Sequence, residues 1–318
     1  MNKRRLGKTD IEITPVGLGV MQFSGNGLMY RWMLAKVPAG ETNDIVEAAL
    51  DGGINWFDTA EMYGFGRSER TLAEALSLAG KEDSEVIIGT KWNPFPRTAR
   101  NIGRTIGKRI HNLDGYSIDL YMVHMPYSIS SIEAQMNAMA DLVEAGKIRS
   151  VGVSNFDPEQ MRRAQAALEQ RGLPLAVNQV EYSLLHRDIE SNGVLDTAKE
   201  LGVTIVAWGP LASGLLTGKF HRDPQILDKT PVMRRTRFRR QLDASRPLVG
   251  ALEEIAIRYD ATPAQIALNW LIHFHGDAVV VIPGASKVKH AEESAGAMQF
   301  RLTDDELNTL DRVSWKMS

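Results

Sequence analysis

Short apolar runs alternate with longer amphipathic stretches along most of the chain. Eight runs are nearly continuous in Val, Ile and Leu, which is typical of strands covered on both faces of a parallel sheet. They lie at Val16–Val20, Ile54–Asp58, Glu85–Thr90, Ile118–His124, Ile148–Ser154, Leu175–Val180, Val203–Trp208 and Ala278–Ile282. Helical periodicity separates them, at Thr42–Asp51, Ser68–Leu78, Arg100–Asn112, Ser131–Glu144 and Pro158–Gln170.

This order of elements predicts an α/β protein with a (β/α)8 TIM-barrel fold, and a doubly wound sheet is the alternative. Before the first unit, Arg4–Leu6 and Ile11–Ile13 flank G-K-T-D and predict a β-hairpin that could plug the bottom of the barrel. We expect residues 1–318 to form one domain, because no change in composition marks a linker.

Local signals mark where helices begin. Asp157-Pro158 places a cap before a proline, Ser68 before Glu69 suggests a second cap, and T-D-D-E opens a terminal helix at Thr303–Ser314. Extra helices are expected near the C-terminus, where Pro247–Tyr259 and Pro263–His273 both precede the last strand.

Composition narrows the function classes. The 318 residues are 43% hydrophobic with a net charge of −2, so a large core is expected and nothing indicates nucleic acid or membrane as a partner. No apolar run approaches the roughly eighteen residues of a membrane span, and the first residues lack a secretory h-region. The absence of cysteine excludes disulfides and thiolate chemistry, and no metal site is expected. A cytoplasmic location is the expectation that fits best.

Four polar residues follow apolar runs at or just beyond their C-terminal ends. Asp58 and Tyr63 lie in I-N-W-F-D-T-A-E-M-Y-G, Lys91 in I-I-G-T-K-W and His124 in D-L-Y-M-V-H. In a barrel these positions converge on one mouth, where TIM-barrel enzymes carry their reacting groups. The alternative is structural: a buried Asp58–Lys91 ion pair, a packed tyrosine and a core histidine.

The types of these residues suit carbonyl reduction. Hydride addition to a carbonyl needs a proton donor at the oxygen, and a tyrosine is a slow acid near neutrality. A lysine ammonium beside it favours the phenolate. Asp58 would hold Lys91 and keep it charged, and His124 could donate a hydrogen bond to the carbonyl. A lyase that uses Lys91 as a Schiff base remains a competing hypothesis.

The chain resembles the aldo-keto reductase family over its whole length. Beyond the Ile54–Gly64 motif, similar motifs are K-I-R-S-V-G-V-S-N-F at Lys147–Phe156, V-N-Q-V-E-Y at Val177–Tyr182, G-P-L-A-S-G-L-L-T-G-K at Gly209–Lys219 and V-I-P-G-A-S at Val281–Ser286. The resemblance implies NADPH-dependent reduction of aldehydes or ketones, with Tyr63 as the acid, Lys91 its tuner, Asp58 the support and His124 the orienting group. A redox-sensing partner protein with little turnover, similar to potassium-channel β subunits, is the alternative on the same fold.

The resemblance also implies where NADPH would bind. Neither Gly17-Leu18-Gly19 nor Gly64-Phe65-Gly66 continues into a GxGxxG fingerprint. The implied cofactor-binding residues are Gly19, Val20, Met21, Ser154, Asn155, Gln179, Trp208, Gly209, Pro210, Leu211, Gly214, Leu216, Gly218, Lys219, Gly284, Ser286, Lys287, His290, Glu293 and Ser294.

Within this set, Ser154, Asn155 and Gln179 would hydrogen-bond the nicotinamide amide, and Trp208 would stack on its ring. Leu211–Lys219 would wrap the pyrophosphate, and Gly284–Ser294 would bind the adenosine end. Lys287, Lys289 and His290 would pair with a 2′-phosphate, which favours NADPH over NADH. The sequence departs from the family pattern at Trp208, Gly209, His290 and Ser294, which bears on the adenosine contacts and on cofactor preference.

The substrate side is predicted to be apolar and aromatic. The expected lining residues are Phe23, Tyr30, Trp32, Trp92, Met125 and Tyr127, which suits small-molecule carbonyl compounds with aromatic or alkyl groups. Five arginines at Arg234–Arg240 are placed in a loop after strand seven, where they could form a lid, bind an anionic partner or face solvent. Homo-oligomerisation is left open.

Overall fold

A computed structural model describes residues 2–25, 37–38, 40–229 and 232–315. Two short strands form an antiparallel hairpin, and eight parallel strands each pair with the next along the chain. The strands are β1 (Arg4–Arg5), β2 (Glu12–Ile13), β3 (Leu18–Gly19), β4 (Trp56–Asp58), β5 (Ile87–Trp92), β6 (Leu120–Val123), β7 (Ser150–Ser154), β8 (Leu175–Glu181), β9 (Thr204–Trp208) and β10 (Val279–Val281).

The parallel sheet closes on itself. Isolated bridges join Val16 to Val281 and Gly19 to Gly284, which brings β3 against β10. The prediction of a (β/α)8 barrel with an N-terminal hairpin is therefore confirmed, and the doubly wound alternative is wrong.

The hairpin lies against the N-terminal ends of the strands. Leu6, Ile11 and Ile13 are buried with inward-facing strand side chains, and the amide of Gly7 donates to Thr204 Oγ1 at 2.8 Å at the start of β9. It thus covers the end of the barrel opposite to the mouth, as predicted.

Helices cover the outside of the sheet. They are α1 (Glu41–Asp51), α2 (Arg67–Leu78), α3 (Arg100–Leu113), α4 (Ile132–Glu144), α5 (Pro158–Glu169), α6 (Val194–Leu201), α7 (Lys219–Arg222), α8 (Val232–Arg258), α9 (Pro263–His273), α10 (Val288–Gly296) and α11 (Asp304–Trp315). None of the helices in the described ranges combines the length and the apolar character needed to cross a bilayer.

Most of the predicted helix starts are correct. Asp157 caps α5 through a reciprocal pair with Gln160, and Thr303 and Glu306 make a similar pair at α11. Ser68 is an exception, because α2 begins one residue earlier. Its hydroxyl instead donates to Val20 O at 2.7 Å and is buried between two loops.

The segment Arg234–Arg240 was placed wrongly in a loop. It lies in the first half of α8, which continues through Pro247 to Arg258. Phe238 and Leu242, four residues apart, are both buried, so an apolar stripe anchors this half of the helix. The lid hypothesis assumed a loop at this position, and the structure has a helix there.

Candidate active site

Four polar residues meet where β4, β5 and β6 end. Asp58 is the last residue of β4, Lys91 is the penultimate residue of β5, and His124 directly follows β6. The three strands are neighbours in the sheet. Tyr63 lies in the turn after β4, where its amide donates to Ala60 O at 3.0 Å. The structure thus brings these residues together at the mouth.

Lys91 is the buried centre of this group. Its Nζ donates to Asp58 Oδ2 at 2.6 Å and to Thr59 O at 2.7 Å. Lys91 is fully buried and Asp58 nearly so. Tyr63 also hydrogen-bonds the ammonium, and its ring centroid lies 5.1 Å from Nζ. A buried ammonium is tolerated only when it is paired in this way.

The electrostatics keep Lys91 charged. Burial alone disfavours the ammonium, but the Asp58 carboxylate, followed by Tyr63, raises the pKa of Lys91 above its ordinary value. A Schiff-base lysine acts as the neutral amine and is activated by a lowered pKa. The raised pKa therefore argues against the lyase hypothesis and suits a fixed cation beside Tyr63.

His124 has the opposite tendency. Burial, followed by the positive charge of Lys91, lowers the pKa of His124 to about 3. Its ring meets the Tyr63 ring edge to face, with centroids 5.8 Å apart. Within the described part of the chain, its buried Nδ1 has no hydrogen-bond partner. A neutral imidazole here can hydrogen-bond a ligand but cannot serve as an imidazolium acid near pH 7.

Protein stability should depend on pH through His124. Its pKa is about 3 in the folded protein against an ordinary 6.5, so the unfolded chain binds a proton that the folded protein excludes between these values. This stability is complete above about pH 6.5 and is lost as the pH falls towards about 3. Urea unfolding at pH 7.5 and 4.5 should show a loss about 3 kcal/mol larger for wild type than for His124→Gln.

Burial also lowers the pKa of His273 on α9, so this histidine contributes to the loss of stability in both proteins. The difference between wild type and His124→Gln therefore isolates the contribution of His124. Equal losses in wild type and variant would mean that His124 is protonated in the folded state.

A second hydrogen-bonded group lies at the ends of β7, β8 and β9. Asn155 Nδ2 donates to Ser154 Oγ at 3.0 Å, and Trp208 Nε1 donates to Asn155 Oδ1 at 3.1 Å. Ser154 Oγ donates to Gln179 O at 2.8 Å, while Gln179 Nε2 donates to Asp58 Oδ1 at 2.8 Å. The predicted nicotinamide-binding residues are thus joined to the Lys91–Asp58 pair through one amide.

The loop after β9 is shaped by left-handed residues. Ala212, Ser213 and Gly214 have φ values of 47°, 56° and 94°. Turns that contain such residues can present backbone N–H groups to an anion. This loop and the first residue of α7 include the predicted residues Gly209, Pro210, Leu211, Gly214, Leu216, Gly218 and Lys219, of which Leu216 has a fully buried side chain.

Cationic side chains gather between this loop and α10. Burial, followed by the charges of Lys219, Lys287 and Lys289, lowers the pKa of His290. A neutral His290 near lysine ammonium groups indicates a region of positive potential, which would attract an anion. Lys287 occupies the N-cap position of α10, and its side chain makes no capping hydrogen bond.

The remaining predicted cofactor residues lie at the ends of β3 and β10 and on α10, and their side chains differ in accessibility. Gly19, Val20 and Met21 are at and after the end of β3, and Gly284 and Ser286 follow β10. On α10, Glu293 pairs with Lys289 at 3.6 Å. The buried Ser294 donates its hydroxyl to His290 O at 2.7 Å, so it contacts its own helix.

The predicted substrate-binding residues separate into three groups. Met125 and Tyr127 are exposed in the loop after β6. Tyr30 and Trp32 lie outside the described residues. Phe23 and Trp92 are buried in the core between sheet and helices, which makes them poor candidates for lining the mouth.

The position of Trp92 follows from strand alternation. Lys91 points into the barrel, so the next residue of β5 must point outwards. Its indole Nε1 donates to Asn101 Oδ1 at 3.2 Å, beside α3. The prediction that Trp92 contacts substrate is corrected to a structural role on the helix side of the sheet.

Sequence reasoning missed the groups that fix the turn carrying Tyr63. Glu61 pairs with Arg109 at 2.5 Å and accepts from the amide of Asn93 at 2.6 Å. The buried Glu69 pairs with the same guanidinium at 2.9 Å. This network connects the loops after β4 and β5 to α3. Its only sequence signal was an acidic residue directly before M-Y-G.

Comparison with known proteins agrees with the geometry. A model of the aldo/keto reductase family matches residues 15–314. The chain belongs to the aldo-keto reductase family. It is 37% identical over 298 residues to an uncharacterized oxidoreductase of Mycobacterium tuberculosis, covering 92% of this chain and 86% of that protein.

Two further relatives carry names that state an activity. The chloroplastic pyridoxal reductase of Arabidopsis thaliana is 33% identical over 311 residues, covering 93% of this chain and 82% of that one. The glycerol dehydrogenase structure from Gluconobacter oxydans superposes with a TM-score of 0.81 at 27% identity, covering 99% and 95% of the two chains. This aldo-keto reductase is therefore an oxidoreductase on the barrel fold of its relatives.

Proposed function

We propose that this aldo-keto reductase reduces aldehydes or ketones to alcohols with NADPH. The observation that carries the proposal is the buried Lys91–Asp58 pair, hydrogen-bonded to Tyr63 and flanked by a neutral His124. A purely structural ion pair would not need a tyrosine and a histidine packed ring to ring beside it at the mouth.

Each side chain then has a task. NADPH supplies the hydride when it is bound. The Tyr63 hydroxyl gives its proton to the carbonyl oxygen, and the Lys91 ammonium stabilises the phenolate that remains. Asp58 keeps Lys91 charged and in place. His124, as a neutral imidazole, donates a hydrogen bond to the same oxygen and orients the carbonyl.

The residues present fit nicotinamide adenine dinucleotide phosphate. Ser154, Asn155 and Gln179 already form a polar group beside Asp58, suited to an amide, and Trp208 is only half-buried next to it. The charges of Lys219 and Lys287 lie within electrostatic reach of His290, which supplies a cationic region for phosphate. A 2′-phosphate would add charge there, which favours NADPH over NADH.

Titration with NADPH and NADH, followed by tryptophan fluorescence, tests the cofactor. We expect quenching of Trp208, with NADPH binding about ten-fold more tightly than NADH because of the extra phosphate contacts. Carbonyl-dependent oxidation of NADPH then tests turnover. Binding without turnover of any aldehyde would support the partner-protein alternative, and no binding would refute the proposal.

The same titration on a lysine variant identifies the phosphate site. Lys287→Ala with Lys289→Ala should weaken NADPH by about ten-fold and NADH much less. Lys81→Ala is the matched control, because Lys81 pairs with Glu85 four residues on, as Lys289 does with Glu293. Equal loss for both cofactors would show that another group reads the 2′-phosphate.

A further inference from the structure

A bulky residue occupies a strained backbone position beside the candidate acid. Gly64, Phe65 and Gly66 have φ values of 64°, 55° and 88°, a left-handed run directly after Tyr63 and before α2. For a large side chain this region is a genuine outlier. Strain of this kind tends to persist where function requires it.

The fold explains the two glycines but not the phenylalanine. A Cβ at Gly64 would lie 2.3 Å from Ser24 O, and one at Gly66 would lie 2.2 Å from Asn112 Nδ2. Glycine is therefore required at Gly64 by space as well as by φ, and at Gly66 mainly by φ, because the contact there is with the end of the Asn112 side chain. Phe65, in contrast, leaves 78% of its surface exposed, so core packing does not account for its ring.

Phe65 is one of a set of exposed apolar side chains, which we call the apolar rim. Among the described residues, five of the nine exposed large apolar side chains lie in the loops after β4, β5 and β6, the strands that carry the candidate catalytic residues. The rim consists of Phe65, Phe95, Met125, Tyr127 and Ile129. All five follow the C-terminal ends of strands, so they lie on the same side of the barrel as the candidate catalytic residues, where a substrate would enter.

We propose that Phe65 is a specificity-determining residue that contacts the apolar part of the substrate and selects bulky aromatic or long-chain carbonyl compounds over small ones. The proposal rests on the proposed reductase function. Phe65 is two residues from Tyr63 in the chain. A substrate whose carbonyl is held by Tyr63 and His124 would therefore place its larger substituent towards the rim. The backbone strain at position 65 is then kept because only a large side chain makes this contact.

Phe65→Gly should stabilise the protein by relieving strain but should weaken the preference for large substrates. The strain and the substrate contact can therefore be measured separately. Relief of the left-handed strain should raise the melting temperature by about 1–2 °C. The ratio of kcat/KM for 2-naphthaldehyde to that for propanal should fall about ten-fold, mainly through KM for the larger aldehyde. Phe65→Leu should restore most of the ratio, because it keeps an apolar side chain.

Asp114→Gly is the matched control. Asp114 is a non-glycine residue at φ 45° that ends α3. It should gain less stability from glycine than Phe65 does, because aspartate adopts the left-handed region more readily, while the aldehyde ratio stays at the wild-type value.

An unchanged ratio in Phe65→Gly, with propanal turnover intact, would overturn the role of Phe65 alone. A changed oligomeric state with an unchanged ratio would assign the rim to self-association and would also overturn it. If wild type reduces no carbonyl with either cofactor, the proposed function fails and this proposal fails with it.

Discussion

Replacing Tyr63 with phenylalanine should lower kcat for carbonyl reduction by about a thousand-fold, since a positioned general acid contributes roughly 10²–10⁴-fold. The change removes one hydroxyl and leaves the ring that packs edge to face on His124. Lys91 keeps its bonds to Asp58 and Thr59. Affinity for NADPH should therefore stay within about two-fold, because no binding contact is removed. Steady-state rates and fluorescence titration measure the two quantities separately.

Tyr116→Phe is the control for loss of a tyrosine hydroxyl. Tyr116 donates to Lys81 O at 2.7 Å, away from the mouth, so its loss should cost about 1 kcal/mol of stability without affecting turnover. If Tyr63→Phe retained wild-type turnover, Tyr63 would have no part in proton transfer, and a water molecule would have to supply the proton.

The barrel and the four polar residues at its mouth could be predicted because they leave a strong trace in the sequence. A strand buried on both faces excludes charge, so Lys91 stands out after I-I-G-T. Parallel strands end at the same edge, so residues after successive strands must converge. Neither step requires knowledge of any tertiary contact.

The error at Trp92 shows where such reasoning fails. The predicted strand ended at Thr90, which left Lys91 and Trp92 in a loop with free orientation. β5 in fact begins later, after a short 3-10 turn at Asp83–Glu85, and continues to Trp92. Inside a strand, an inward Lys91 forces an outward Trp92. A two-residue error in a strand boundary thus changed a core residue into a predicted substrate contact.

The prediction of a loop in the first half of α8 was wrong for a different reason. Five arginines in seven residues obscure the apolar stripe, and Pro247 suggests a helix start where the structure has a helix interior. Arginine has a high helix propensity, and burial of Phe238 and Leu242 adds packing energy, so both factors stabilise a helix over this segment. The contacts that bury them come from elsewhere in the chain and are invisible in the local pattern.

The hydrogen bond from Gln179 to Asp58 was also unpredictable, since 121 residues separate the two. It matters because it joins the predicted nicotinamide-binding residues to the support of Lys91. Asp58 Oδ1 accepts from Gln179 and Oδ2 accepts from Lys91, so one carboxylate positions residues of both groups. Replacement of this carboxylate or of its lysine should therefore affect stability and chemistry together.

Replacing Lys91 with methionine should produce the largest loss of stability, about 3–5 kcal/mol, because it leaves the Asp58 carboxylate buried without its cation. Adding Asp58→Asn to this variant should recover most of that loss, since a neutral amide can still accept from Gln179. Turnover should stay at the level of the single variant, because the ammonium beside Tyr63 is still missing. Urea unfolding of wild type, both single variants and the double variant measures the coupling between the two residues. If the double variant were no more stable than Lys91→Met, an unpaired carboxylate would not be the cause of the loss. The packing of the lysine side chain, rather than its charge, would then hold this part of the barrel together.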